Sequence, residues 1–89
     1  MKVRVRYYAR AAELAGLRNE EVEVADGVSL KEFLQVLPEK SKADLSRLLE
    51  NGRPARWLRI ALNHRVQADL EVKLRNGDTL AFLPPSSGG

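Results

Sequence analysis

The stretch Ser29-Leu30-Lys31-Glu32-Phe33-Leu34-Gln35-Val36-Leu37 constrains this chain more than any other. Ser29 followed by Glu32 fits a capping box, in which the hydroxyl accepts from a first-turn amide while the carboxylate reaches back to another free amide. A helix is therefore expected to start here. Leu30, Phe33, Leu34 and Leu37 fall at i, i+3, i+4 and i+7, a single apolar stripe, and Pro38 is expected to prevent continuation. A stripe of leucines and phenylalanine at this spacing is core, and it is assigned no direct function.

The flanking segments say what that stripe packs on. Val3, Val5 and Tyr7 alternate with Lys2, Arg4, Arg6 and Tyr8, which predicts a strand over Lys2–Tyr8 with one buried and one wet face. Ala9 to Ala15 favours a short helix, and Gly16 stands where a left-handed cap is needed. Glu21, Val22, Glu23 and Val24 alternate again, so Arg4 and Arg6 can face Glu21 and Glu23 across an antiparallel ladder, and Asp26-Gly27 closes that strand.

Beyond the main helix, Ser41 and Asp44 repeat the capping pattern ahead of Leu45, Leu48 and Leu49, which predicts a second short helix ending near Asn51-Gly52. Arg53-Pro54-Ala55-Arg56-Trp57 reads as a loop leading into a strand. Two arginines and the only tryptophan allow a contact site for RNA or an acidic protein, but a partly buried rim tryptophan is the preferred reading. Leu58, Ile60 and Leu62 then alternate with Arg59 and Ala61, and Asn63-His64 is a tight turn into Arg65-Val66-Gln67, giving a hairpin. Leu70 to Leu74 is a link, Asn76-Gly77-Asp78 a turn, and Thr79-Leu80-Ala81-Phe82-Leu83 a last strand. Its apolar character on both faces predicts a central place in the sheet.

Strands around one long helix make an α+β chain, and 89 residues bound it to one small domain. Fifteen Lys and Arg against twelve Asp and Glu leave +3, spread along the sequence and too weak to imply nucleic-acid binding. No apolar run approaches the ~18 residues needed to cross a bilayer, and Met1-Lys2-Val3-Arg4 lacks the apolar segment of a signal peptide, so no membrane contact and a cytoplasmic location are expected.

The absence of cysteine removes disulfides, thiolate nucleophiles and cysteine metal sites; any sulfur involved must come from another protein. His64 is the only histidine and is read as a turn residue, with no metal site expected. No phosphate loop or Ser/His/Asp set is present, and Glu20 and Glu21, adjacent on a strand, face opposite sides. The chain by itself does not read as an enzyme.

What remains as chemistry is the tail Pro84-Pro85-Ser86-Ser87-Gly88-Gly89. The prolines fix φ and donate no amide, so they end the last strand and point the chain away from the body. Ser86 and Ser87 form a polar spacer. Gly88 and Gly89 have no Cβ and can thread a channel too narrow for side chains, presenting the Gly89 carboxylate inside another protein. The expected organisation is a folded domain over 1–83 and a flexible tail over 84–89, with Pro84, Pro85, Ser86, Ser87, Gly88 and Gly89 contacting partners and Gly89 as the reactive residue.

The order strand, short helix, strand, long helix, helix, hairpin, link, strand, diglycine resembles the ubiquitin-like β-grasp fold and, within it, the small sulfur-carrier subunits of molybdopterin synthase. The match is carried by Val3 to Arg10 with Glu13-Leu14-Ala15-Gly16, by Ser29 to Leu34, and by Asn76-Gly77-Asp78 with Leu83 to Gly89. It departs at Asn63-His64-Arg65, where the family often shows Asn-Gly, and at Arg53 to Trp57.

The resemblance implies a mixed four- to five-stranded sheet packed on one main helix plus short helices. It implies an E1-like adenylating enzyme that spends ATP on the Gly89 carboxylate, a sulfur donor that converts it to a thiocarboxylate, and a large synthase subunit in which that sulfur is passed to the pterin precursor of the molybdenum cofactor. No cofactor is bound by the carrier itself. The alternatives are a ubiquitin-like modifier joined through Gly89 to lysines, a sulfur carrier for thiamin or tRNA thiolation, and a β-grasp interaction module with an inert tail.

Overall fold

A computed structural model describes residues 1–67 and 69–85. Strand β1 (Lys2–Tyr7) runs into helix α1 (Arg10–Ala15), followed by β2 (Asn19–Glu23) and the main helix α2 (Leu30–Lys40). Two short strands, β3 (Leu49–Glu50) and β4 (Arg53–Pro54), precede β5 (Arg59–Leu62), β6 (Arg65–Val66) and β7 (Thr79–Leu83). The main sheet is five-stranded, in the order β2-β1-β7-β5-β6, with β3 and β4 forming a separate pair. Strand β1 is antiparallel to β2 and parallel to β7, and β7 is antiparallel to β5. This mixed sheet on one main helix is the β-grasp architecture, and β7 is its middle strand, as the two apolar faces of that strand predict.

The core lies between the sheet and α2. Val3, Val5, Leu80 and Phe82 from the sheet meet Leu30, Phe33, Leu34 and Leu37 from the helix, all fully buried. The capping box forms: Ser29 Oγ accepts from the Glu32 amide at 3.1 Å, and Glu32 Oε1 accepts from the Ser29 amide at 2.9 Å. The next two free amides find partners in the 70–74 link, Leu30 N–H donating to the Val72 carbonyl and Lys31 N–H to that of Leu70, each at 2.8 Å. All the first-turn donors of α2 are thus satisfied, half by the predicted box and half by a distant segment.

Three expectations need correction. Helix α2 does not stop at Pro38 but continues to Lys40, closed by the Ser41 amide on the Leu37 carbonyl at 2.8 Å. Proline's fixed φ is itself helical, so a late proline costs one hydrogen bond without barring a last turn.

The second helix over Leu45–Leu49 is a single turn, with the Leu48 and Leu49 amides both on the Leu45 carbonyl at 3.0 Å. The chain then enters the β3–β4 hairpin, because Asn51 and Gly52 take φ of 53° and 76°, the paired left-handed conformation of a tight hairpin turn. A side chain at position 52 would also press within 3.0 Å of Gln35 Cγ.

Arg53–Pro54 is accordingly a strand and not a loop. The hairpin at Asn63-His64 forms as expected, with φ of 50° and 74°, and Gly16 takes the left-handed cap position at φ 82°.

Candidate functional site

The predicted site residues Pro84 and Pro85 follow directly on β7, Pro84 half-buried and Pro85 exposed. Ser86, Ser87, Gly88 and Gly89 lie outside the described residues. The base of the tail is held on both sides: Leu83 pairs with Arg59 of β5, and the Phe82 carbonyl accepts from the Tyr8 amide at 3.0 Å. A segment leaving such a strand starts from a point fixed by the sheet.

Behind that base sits a polar lock that the sequence did not suggest. The Tyr7 ring stacks on Phe82 with centroids 5.5 Å apart and planes inclined by 6°. Its hydroxyl donates to Glu20 Oε2 at 2.7 Å, while the Ser41 hydroxyl shares the same oxygen and the Lys42 amide donates to Glu20 Oε1 at 2.9 Å. Burial, foremost, pushes the Tyr7 hydroxyl pKa well above its ordinary value; Ser41 opposes the shift and the Glu20 carboxylate adds to it. Ser41 was expected to cap a helix; its hydroxyl instead helps tie β2 to the end of α2. Glu20 and Glu21 do face opposite sides, Glu21 lying 3.8 Å from Arg4 and 4.0 Å from Lys2 on the outer face. Arg6 stands opposite Asn19 and not a glutamate, so only part of the expected charge ladder forms.

The outer face of the sheet, opposite α2, adjoins the tail. One cross-strand row runs Asn19, Arg6, Ala81, Ala61, Val66, and the next places Leu83 opposite Arg59. Small and apolar residues therefore occupy its middle, with arginines beside them. The two exposed large hydrophobic residues of the described chain are on this side, Val66 at 67% and Tyr8 at 41%, with the Arg6 guanidinium 5.4 Å above the Tyr8 ring. Residues at positions 8, 66 and 83 are far apart in sequence, and only the strand order makes them neighbours of one face.

Trp57 is half-buried and packs against the core, which agrees with the rim reading. His64 is exposed in its turn. Among the described residues, no group of three or more His, Cys, Asp or Glu could hold a metal ion, and no helix is long and apolar enough to cross a membrane.

Comparison with known proteins gives a consistent result. The ThiS family matches residues 5–89. A molybdopterin synthase sulfur carrier subunit of Chlamydomonas reinhardtii is 29% identical over 91 residues, covering the whole of both chains. The crystal structure of Haloferax volcanii small archaeal modifier protein 1 superimposes with TM-score 0.76 and 27% identity, over 96% of this chain and 98% of that one. A chain from the complex of subunits 1 and 2 of the Helicobacter pylori molybdopterin-converting factor matches with TM-score 0.69 and 29% identity over the whole of both chains.

Proposed function

Because this chain belongs to the ThiS family, we propose that it is a sulfur carrier, and specifically the small subunit of a molybdopterin synthase. The observation that carries the reading is the coupling of the Pro84-Pro85-Ser86-Ser87-Gly88-Gly89 sequence to the central strand β7. The full-length likeness to a sulfur carrier subunit supports it.

A resting carboxylate is a poor electrophile. In the proposed cycle a cytoplasmic, ATP-using, E1-like partner joins Gly89 to AMP and releases pyrophosphate, giving the acyl carbon a good leaving group. The terminal sulfur of a donor persulfide attacks that carbon and AMP departs. A thiol then attacks the donor-side sulfur of the resulting acyl disulfide, so that the S–S bond breaks and a thiocarboxylate remains on Gly89. Inside the large subunit the thiocarboxylate sulfur attacks the pterin precursor, and water cleaves the acyl–sulfur bond to return the carboxylate. Two such deliveries supply the dithiolene. The carrier contributes position: tethered sulfur replaces free sulfide with a high local concentration at the acceptor.

The outer sheet face around Tyr8, Val66 and Leu83 is the proposed contact surface for the large subunit. An apolar centre with charged edges is the usual composition of such interfaces. The likeness to a crystallised subunit 1–subunit 2 complex supports a partner of this kind.

A second reading, a ubiquitin-like modifier, is favoured by the likeness to the archaeal modifier protein. Both readings share the adenylate and differ in the nucleophile, sulfur or a lysine amine. Intact-mass measurement of the protein isolated from its own cells separates them: replacement of the terminal oxygen by sulfur supports the carrier, and lysine-linked conjugates without any sulfur-bearing form would replace it with the modifier.

A further inference from the structure

The basic side chains run through the whole sequence, but their excess does not. Between Ser46 and Arg59 stand Arg47, Arg53, Arg56 and Arg59 against the single carboxylate of Glu50, whereas the other residues carry eleven cations and eleven anions. The entire net charge of +3 thus belongs to one short segment, the segment that also holds the only tryptophan. Among the described residues none of these four arginines has a carboxylate within 4.0 Å; the ion pairs involve Met1, Lys2, Arg4 and Arg10.

This segment forms one wall of a groove of about 510 Å³, and α1 forms the other. Leu14, Ala55 and Trp57 give it an apolar lining, while Arg10, Arg47 and Glu50 also line it. The Arg10 guanidinium is engaged by Glu13 at 3.0 Å, which leaves Arg47 as the lining cation without an intramolecular partner among the described residues. The groove opens at the end of the sheet from which the tail departs. Its α1 wall begins beside Tyr8, whose amide holds Phe82, and its other wall passes through Trp57 to Arg59, opposite Leu83.

We propose that the groove between α1 and the β3–β4 hairpin is a docking site for an acidic segment of a partner protein, which lays an apolar side chain beside Trp57 and its carboxylates along Arg47 and Arg56. The charge selects the sign of the occupant, and the lining of Leu14, Ala55 and Trp57 requires an apolar anchor as well. RNA fits less well. The one aromatic ring is packed against the core and not displayed as a stacking platform, and Glu50 would face the phosphates. A partner held here lies beside the tail's base, so this contact adds to whatever the tail itself makes and helps select which protein receives it.

Trp57 is the sole tryptophan and reports on its own groove. Its fluorescence is followed while the full chain is titrated with a short synthetic peptide of aspartates and glutamates carrying one leucine and one phenylalanine, and separately with an oligouridylate. The peptide is expected to produce a saturable change that is lost at about 1 M salt, where charges more than ~3 Å apart are screened. The combined exposed substitutions Arg47→Glu and Arg56→Glu are expected to weaken it about tenfold. A silent response to the peptide, a response insensitive to salt, equal binding by the charge-reversed protein, or a stronger response to the oligouridylate overturns the proposal. The titration contains neither an activating enzyme nor sulfur, so its outcome is separate from that of the tail chemistry.

Discussion

Tyr7 lies flat on Phe82 at 5.5 Å and sends its hydroxyl to Glu20 at 2.7 Å, so one side chain joins the strand that carries the tail to the edge strand β2 and, through Ser41, to the end of α2. The end of β7 is thereby fixed in three directions: by Tyr7 beneath it, by the Tyr8 amide on one side and by Arg59 on the other. A carrier that must present one atom group to several partners gains from such a rigid base, because disorder in the arm is not compounded by disorder in its anchor.

That contact makes stability fall in alkali. An unfolded tyrosine releases its proton near pH ~10, whereas burial keeps the folded Tyr7 hydroxyl protonated to higher pH. Its contribution is complete below pH ~10 and is lost progressively as pH rises further. The melting temperature of the wild type should exceed that of Tyr7→Phe at pH ~8, and the gap should narrow between pH ~10 and ~12. A gap that stays constant across that range would show that Tyr7 is not linked to folding in this way.

Removal of Gly89 tests the tail without disturbing the sheet. Thermal unfolding of the shortened chain should match the full one to within about 0.5 kcal/mol, as expected of a change outside packed structure. Sulfur transfer to the acceptor in a reconstituted system should disappear. Retained transfer would remove Gly89 from the reaction.

Val66→Asp places a charge in the outer sheet face, where Val66 is 67% exposed. Folding should change by no more than about 0.5 kcal/mol. Binding to the large subunit, measured by calorimetry, should weaken by about 2 kcal/mol or more if Val66 is among the residues that dominate the interface. Unaltered affinity would move the contact surface elsewhere.

Ser29→Ala removes the hydroxyl that accepts from the Glu32 amide at 3.1 Å. The cost should be about 1 kcal/mol, or roughly 4–8 °C in melting temperature for a domain of this size. The Glu32 carboxylate is held below its ordinary pKa chiefly by the backbone amide of Ser29 and next by its side chain. Its contribution is present above the unfolded carboxylate range and fades as pH falls through the folded value, so the wild type should lose part of its advantage in acid. Equal melting of wild type and variant at neutral pH would mean that the cap is unimportant here.

Much of this architecture was legible in local pattern. The α2 stripe, the alternation of β1 and the turn at Asn63-His64 each follow from short-range rules that the tertiary structure leaves intact. The failures were local signals outcompeted by others. Ser41 and Asp44 read as caps, yet Ser41 is taken by Glu20 from β2 and Asp44 by the Ser46 amide at 3.0 Å, while Asn51-Gly52 turns the chain into a hairpin. Nothing near Ser41 in the sequence reveals a carboxylate twenty-one positions away.

The sequence by itself determined the helix that organises the core, the apolar last strand and the chemical identity of the chain end, because each is set by neighbours within a few residues. Only the tertiary structure decided that Tyr8, Val66 and Leu83 share one face, that Glu20 locks Tyr7, and that the whole excess of positive charge borders a groove with Trp57 in it. Those relations depend on which strands pair and in what direction, and strand pairing is settled by burying a common core at long sequence separation, a quantity that no local window contains.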